Sequence, residues 1–366
     1  RCMMRRISFI VFCLSFLFGC GEQQKFIVFG EVDGMEGDTL FLAARNIEGR
    51  WDTLGVAVVE SRIFRFEGSV PRPLIAQVQG KSRHQVLPLF LENQSFHIYL
   101  NKGQFEQSEV NGGGLQKSYN EFMMQKADIY KEMPELEKAF AEARKAGERE
   151  TCRQLIERND ELDSIYRESE FRFLKEQGNS LPGLYVVFKQ NPRMRFERLK
   201  PMYDLLSDEM KDTPYGKIIT QRYLDAKITA KGEIAPDFTL LTPEGDSLSL
   251  YSVKAKVKIL DFWASWCGPC RAENPNMVAI YHEFKERGLE IISVSLDSNR
   301  EAWLKAIKED GLTWRHVSDL KGWQSSAAQL YKISAVPSVF VLDATNRIVG
   351  SYVRGENIRT CVQGLL

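Results

Sequence analysis

Two cysteines three positions apart, in Cys267-Gly268-Pro269-Cys270, are the residues of this sequence best suited to chemistry. Two thiols can close a disulfide only when their Cα atoms lie within about 7 Å. To act on another molecule, one sulfur must reach it while the second waits behind. A C-x-x-C at the first turn of a helix meets both conditions. It sets Cys267 at the positive end of the helix dipole, where unpaired N–H groups favour a thiolate. Pro269 suits a first turn, which has no use for the missing N–H. Cys270, one turn deeper, is expected to be shielded and to attack a mixed disulfide formed at an exposed Cys267. The chemistry this spacing offers is thiol–disulfide exchange. Zinc would require two further ligands at comparable spacing and none exists, so no metal and no cofactor is expected. A purely structural disulfide here would close a very small loop and stabilise little.

The remaining titratable residues are less informative. Cys152 and Cys361 are isolated, while Cys2, Cys13 and Cys20 lie near the start of the chain. This is not the dense, regular cysteine set of a disulfide-stapled scaffold. Cys152, alone on a helix face, reads as a small buried residue. His84, His97, His282 and His316 are scattered, without metal-ligand spacing. Lys+Arg and Asp+Glu both number 49, so the balanced charge gives no sign of a nucleic-acid or anionic-surface partner.

The elements that must position Cys267 and Cys270 follow from periodicity. Lys256 to Trp263 reads as a buried strand leading into the motif, with a helix from about Cys267 to Arg287. A second strand (Leu289 to Leu296), a helix (Arg300 to Asp310), a short strand (Trp314 to Ser318), a hairpin (Ser338 to Leu342 and Arg347 to Val353, turning at Ala344-Thr345-Asn346) and a last helix near Glu356 complete an α/β layered domain over 232–366. Ahead of it, 115–230 is helical: Leu136, Phe140 and Ala143, then Leu155, Leu162, Tyr166 and Leu174, fall at helical spacing between charges. Gly178-Asn179-Ser180 and Pro182 break that run. Residues 25–112 alternate with a period of two, as at Phe26, Val28, Gly30 and Val32 or Phe64 and Phe66. Turn signals such as Asp33-Gly34 and Asn111-Gly112-Gly113-Gly114 separate the runs. An antiparallel β-sandwich or open barrel is expected there, with the helical region as a linker.

Asp261-Phe262-Trp263-Ala264-Ser265-Trp266-Cys267-Gly268-Pro269-Cys270 resembles the active-site segment of thioredoxins. Pro275 stands where that family kinks its helix, and Val336-Pro337 resembles the family's cis-proline. Ala235-Pro236-Asp237-Phe238, the segment Gly288-Leu289-Glu290-Ile291-Ile292 with Asp297, and Glu273 make the domain similar to the TlpA/ResA-like, membrane-tethered extracytoplasmic thioredoxins. The resemblance covers about 232–366. It implies a thioredoxin-like fold, a redox disulfide between Cys267 and Cys270, and a buried Asp261 of raised pKa that relays the Cys270 proton. It further implies an acidic Glu273 near the disulfide, and substrate contact at Trp266, Gly268, Pro269, Val336 and Pro337. The regions before it look like an uncharacterised module preceding such domains in some bacterial lipoproteins.

The start of the chain reads as an address. Met3-Met4-Arg5-Arg6 is basic, and Ile7 to Phe18 is apolar over about a dozen residues, the length of a signal-peptide core rather than of a membrane span. Leu17-Phe18-Gly19-Cys20 resembles a bacterial lipobox, which implies a signal peptide over 1–20 and lipidation of Cys20. The expected location is therefore outside the cytoplasm, lipid-anchored to a bacterial membrane.

Gly268-Pro269 is the dipeptide of reducing thioredoxins, whose potential lies near about −270 mV against about −120 mV for the oxidant DsbA. Reduction of disulfides in extracytoplasmic proteins, apocytochrome c among them, is therefore expected, with a membrane thiol carrier as electron donor. Two rivals remain open. One is a peroxiredoxin of the AhpC/TSA family, which shares the Ala-Pro-Asp-Phe opening. The other is a surface binding lipoprotein whose redox domain is accessory.

Overall fold

A computed structural model describes residues 25–82 and 84–366. The expected signal peptide and the lipidation site Cys20 lie outside the described residues. The chain folds as two compact units, one reaching to Arg45 and taking in Trp51–Ser118, the other comprising Asn46–Arg50 and Tyr119–Leu366.

The first unit contains β1 (Phe26–Val32), β2 (Thr39–Arg45), β3 (Trp51–Val58), β4 (Ile63–Gly68), β5 (Leu74–Gln79), β6 (Val86–Leu91), β7 (Ser95–Leu100) and β8 (Glu109–Asn111). They form two four-stranded sheets, ordered β4-β1-β7-β8 and β3-β2-β5-β6. Alternation does what the sequence implies: β1 turns Phe26, Val28 and Val32 inward, and residues of both sheets share one apolar core. Gly30 occupies an inward position because Phe64 fills the space; a Cβ there would stand 2.0 Å from the ring. One pairing departs from the expected antiparallel pattern. β1 and β7 run parallel, Ile27 opposite Ser95 through Val32 opposite Leu100. The five strands between them supply the long crossover that a parallel pair requires.

Helices follow: α1 (Gly114–Ile129), α2 (Met133–Ala146), α3 (Arg149–Gln177), α4 (Leu181–Phe188), α5 (Phe196–Asp204), α6 (Asp208–Lys211) and α7 (Pro214–Lys227). Gly147, at φ +75°, turns α2 into α3, a left-handed conformation that glycine adopts without steric cost. The expected break after α3 is present, and Ser180 caps α4 by accepting a hydrogen bond from Gly183 N. Cys152 is half-buried rather than buried, because α3 there carries charge on most of its faces.

The helices from Tyr119 onward share the second unit with the α/β region instead of standing apart as a linker. Polar contacts explain the union: Ser351 Oγ donates to Thr229 O at 2.6 Å, and Gly232 N donates to Ile348 O at 2.7 Å. The α/β part contains β9 (Thr239–Leu241), β10 (Ser247–Ser249), β11 (Val257–Trp263), α8 (Gly268–Phe284), β12 (Leu289–Ser295), α9 (Arg300–Glu309), β13 (Arg315–Val317), α10 (Ser326–Leu330), β14 (Ser338–Asp343), β15 (Ile348–Ser351) and α11 (Glu356–Gln363). The main sheet is ordered β13-β12-β11-β14-β15. β11 runs parallel to β12 and antiparallel to β14. Every residue of β11 is buried, so helices cover both faces of the sheet. This is the thioredoxin-like layering, with the end of the central strand delivering the chain to Cys267.

Candidate active site

The loop between β11 and α8 is held before the cysteines begin. Asp297, buried just after β12, accepts from Ser265 N at 2.9 Å, Ser265 Oγ at 2.5 Å and Ser295 Oγ at 2.7 Å. Parallel pairing brings the ends of β11 and β12 together, Trp263 opposite Ser295. Asp297 therefore pins the turn leading to the motif, which sequence spacing did not reveal.

Cys267 is the N-cap of α8. Its sulfur accepts from Cys270 N at 3.2 Å, with Pro269 in the first turn. Cys267 and Cys270 are joined by a disulfide with Cα atoms 5.2 Å apart. Both sulfurs thus sit at the end of the helix where N–H groups lack carbonyl partners. The expected contrast between an exposed Cys267 and a shielded Cys270 is small in this oxidised form, where they are 5% and 1% exposed. Each sulfur of a disulfide covers part of the other. Gly268, Pro269 and Trp266 are exposed beside them, and the Trp266 ring lies 6.0 Å from that of Trp323. Pro275 is inside α8, as the resemblance implies.

Asp261 lies on β11 between Ser293 and Val339 of the flanking strands. It is 5% exposed, and burial pushes its carboxyl up to about 7. A hydrogen bond from Ser293 Oγ at 3.0 Å and the positive charge of Arg354 act against that rise, while the negative charge of Glu273 adds to it. Desolvation dominates because the neutral acid is the form a covered strand tolerates. A carboxyl that titrates near 7 can hold or take a proton at the pH where dithiols exchange.

Glu273 is half-buried on α8, one turn past Cys270. Its Oε1 accepts from Gly355 N at 3.1 Å and Asn276 Nδ2 at 2.7 Å. Its carboxylate thereby ties α8 to the turn before α11. The Val336–Pro337 peptide bond is cis, and the next residue, Ser338, pairs with Phe262 near the end of β11. The proline loop and the cysteine loop consequently leave adjacent strands at the same edge of the sheet. Arg354 donates from its guanidinium to Pro337 O. Sequence reading passed over Arg354, which carries no motif; only the fold brings it to the proline loop. His316 is buried against Trp314 and Trp263, and burial pushes its pKa down to about 4, so it is a core residue outside this constellation.

A family model described as the AhpC/TSA family matches residues 231–351, and one described as a domain of unknown function, DUF4369, matches 26–119. The chain is 36% identical over 135 residues to the thiol-disulfide oxidoreductase ResA of Oceanobacillus iheyensis, covering 36% of this chain and 69% of that protein. It is 31% identical to ResA of Bacillus cereus, over 37% of this chain and 76% of that one. Among solved structures it is similar to the thioredoxin domain of a thiol-disulfide oxidoreductase from Bacteroides vulgatus, at 34% identity and a TM-score of 0.35, covering 37% of this chain and 96% of that one.

Proposed function

The chain belongs to the family of ResA-type thiol-disulfide oxidoreductases, and from that premise we propose that it reduces disulfides in extracytoplasmic proteins from a lipid anchor at Cys20. The observation that carries this reading is a disulfide closed at the N-terminus of α8 on the same strand–helix junction as a carboxyl titrating near 7.

The reaction starts from the dithiol. The Cys267 thiolate, favoured by the helix end, attacks one sulfur of a substrate disulfide; the other substrate sulfur leaves as a thiolate and takes a proton from water. Asp261, ionised, accepts the Cys270 proton through a bridging water. The Cys270 thiolate then attacks Cys267 Sγ, expelling the second substrate thiolate and closing the Cys267–Cys270 disulfide. Two electrons pass from enzyme to substrate, and an external dithiol must return them. Trp266, Gly268, Pro269, Val336 and Pro337 offer the surface on which the substrate chain lies, and Glu273 tunes Asp261 through its charge.

Gly268-Pro269 supports the reducing direction, and the Leu17–Cys20 resemblance supports the anchor and an envelope location. A membrane thiol carrier is the donor such a location requires, and apocytochrome c is one candidate substrate. Among the described residues, no helix is long and apolar enough to cross a membrane. The test is the redox potential of the Cys267–Cys270 couple: a value near about −270 mV is expected, and one above about −180 mV overturns the reductive direction.

The AhpC/TSA match favours one second reading. Here Cys267 thiolate attacks a peroxide oxygen and becomes a sulfenic acid, the O–O bond breaking and the other oxygen leaving, once protonated, as water or an alcohol; Cys270 thiol then condenses with the sulfenic acid, releasing a water and closing the same disulfide. Peroxide consumption by the pre-reduced protein, one equivalent per dithiol within seconds, would establish it. Loss of insulin-disulfide reduction in the same preparation would displace the first reading.

A further inference from the structure

A cavity of about 370 Å³ opens beside the cis-proline loop, lined on one side by Ser334, Ala335, Pro337 and Ser338 and on the other by the chain around α5 and α7. Its volume is in the range of ligand sites. One wall is therefore the surface assigned above to the substrate chain, and the other comes from helices outside the α/β domain.

The charge of this cleft is lopsided. Five basic side chains line it against two acidic ones, Glu197 and Asp225, in a chain whose formal net charge is zero. Asp225 is taken up by Lys332 at 3.4 Å. Among the described residues no carboxylate lies within ion-pair distance of Arg193, Arg195 or Arg354. Arg195 is held over the Tyr352 ring, 5.3 Å from its centroid, and Arg354 is fixed on Pro337 O. Tyr352 itself sits at φ +52°, a conformation costly for a non-glycine residue. Its hydroxyl lies 3.3 Å from Thr229 Oγ1. The Arg195 and Arg354 guanidinium groups are thus held in place rather than swinging free, which lowers the entropy lost when a carboxylate binds, while Arg193 stands exposed at the rim of the same cleft.

We propose that this cleft docks an acidic segment flanking the disulfide of the protein substrate, with Arg193 and Arg195 as its carboxylate-binding residues. The inference rests on the oxidoreductase reading and adds a substrate class to it. A peptide lying along the proline loop with its cystine at Cys267 would run on into this positive wall. Complementary charge would act chiefly on the rate of encounter.

The full chain, reduced and freed of reductant, is mixed with three peptides that share one cystine loop and differ only in a flank of three Glu, three Gln or three Lys. Exchange is followed by acid quench and chromatography. At about 20 mM salt the Glu peptide is expected to react about tenfold faster than the Lys peptide, with the gap closing near about 0.5 M. The Arg193→Gln/Arg195→Gln variant should lose the ranking and Arg193→Lys/Arg195→Lys should keep it. Arg153→Gln/Arg158→Gln, an equal loss of charge on α3, should keep it too. Equal rates for all three peptides, or a ranking that survives the Arg193→Gln/Arg195→Gln change, overturns the docking inference alone. Reaction with none of the peptides overturns the oxidoreductase reading and the inference with it.

Discussion

The β-sandwich and the α/β sheet treat a charged residue on a strand in opposite ways. On β4, Glu67 projects into solvent, where hydrogen bonds from Arg65 and Lys25 hold its carboxyl below the usual range. On β11, Asp261 lies in a strand covered on both faces, and burial drives its carboxyl up to about 7. β4 of the sandwich buries alternate residues, Phe64 and Phe66 pointing inward and Arg65 and Glu67 outward. β11 has no outward face, so Lys258 is also enclosed, its Nζ donating to Asn346 Oδ1 at 2.6 Å. A charge on an open face is a matter of solubility; a charge on a covered strand must be paired or change its protonation. That is why the proton transfer proposed for Asp261 falls to the second sheet.

The contrast is most severely tested by removing the nucleophile. Cys267→Ser is expected to lower insulin-disulfide reduction by about 10³-fold or more, while Glu67→Gln leaves it unchanged. Substantial activity in Cys267→Ser would move the chemistry elsewhere. Next, Asp261→Asn should slow reduction about 10²-fold at pH 8. It should also erase a rise in the wild-type rate through about pH 7, the value to which burial lifts this carboxyl. A pH–rate profile identical in the two proteins would remove Asp261 from proton transfer.

The same substitution should have the opposite sign on stability. The carboxyl's pKa is about 7 when folded against 3.8 as its ordinary value. The folded state therefore binds more protons between those limits, and stability falls as pH rises from about 4 to about 7. Asp261→Asn should remove that loss and stabilise the oxidised protein by about 2–4 kcal/mol at pH 8, read from guanidinium unfolding at pH 4 and pH 8. Equal stability gains at both pH values would place the effect in packing instead. The smallest effect is expected at Glu67: Glu67→Gln should leave the unfolding midpoint unmoved, and a clear shift would mean that the exposed pair contributes more than solvent screening allows.

Much of the second sheet was legible because its signals are local. Continuous apolar runs gave β11 and β12, Asn346 at φ +65° closes the hairpin read from Ala344-Thr345-Asn346, and the C-x-x-C carries its own geometry. The sandwich was less legible. β5 and β6 escaped the alternation because β6 (Val-Leu-Pro-Leu-Phe-Leu) is apolar on both faces and holds Pro88, a poor strand residue. The short β9–β10 hairpin has too few residues to show any period. The parallel β1·β7 pair could not be foreseen, since pairing between strands more than sixty residues apart leaves no mark on either one.

The sequence by itself determined the reactive pair, the helix that carries it and the strand that leads to it, since spacing and periodicity act over a few residues. Tertiary structure alone decided the surroundings of that pair. Asp297 reaches back to pin Ser265, Gly355 N meets Glu273, and Arg354 holds the proline loop. These contacts join residues 32, 82 and 17 positions apart, brought together by strand pairing and helix packing. The pKa of Asp261 belongs to the same class, because desolvation depends on everything that covers a residue and not on its neighbours in the chain.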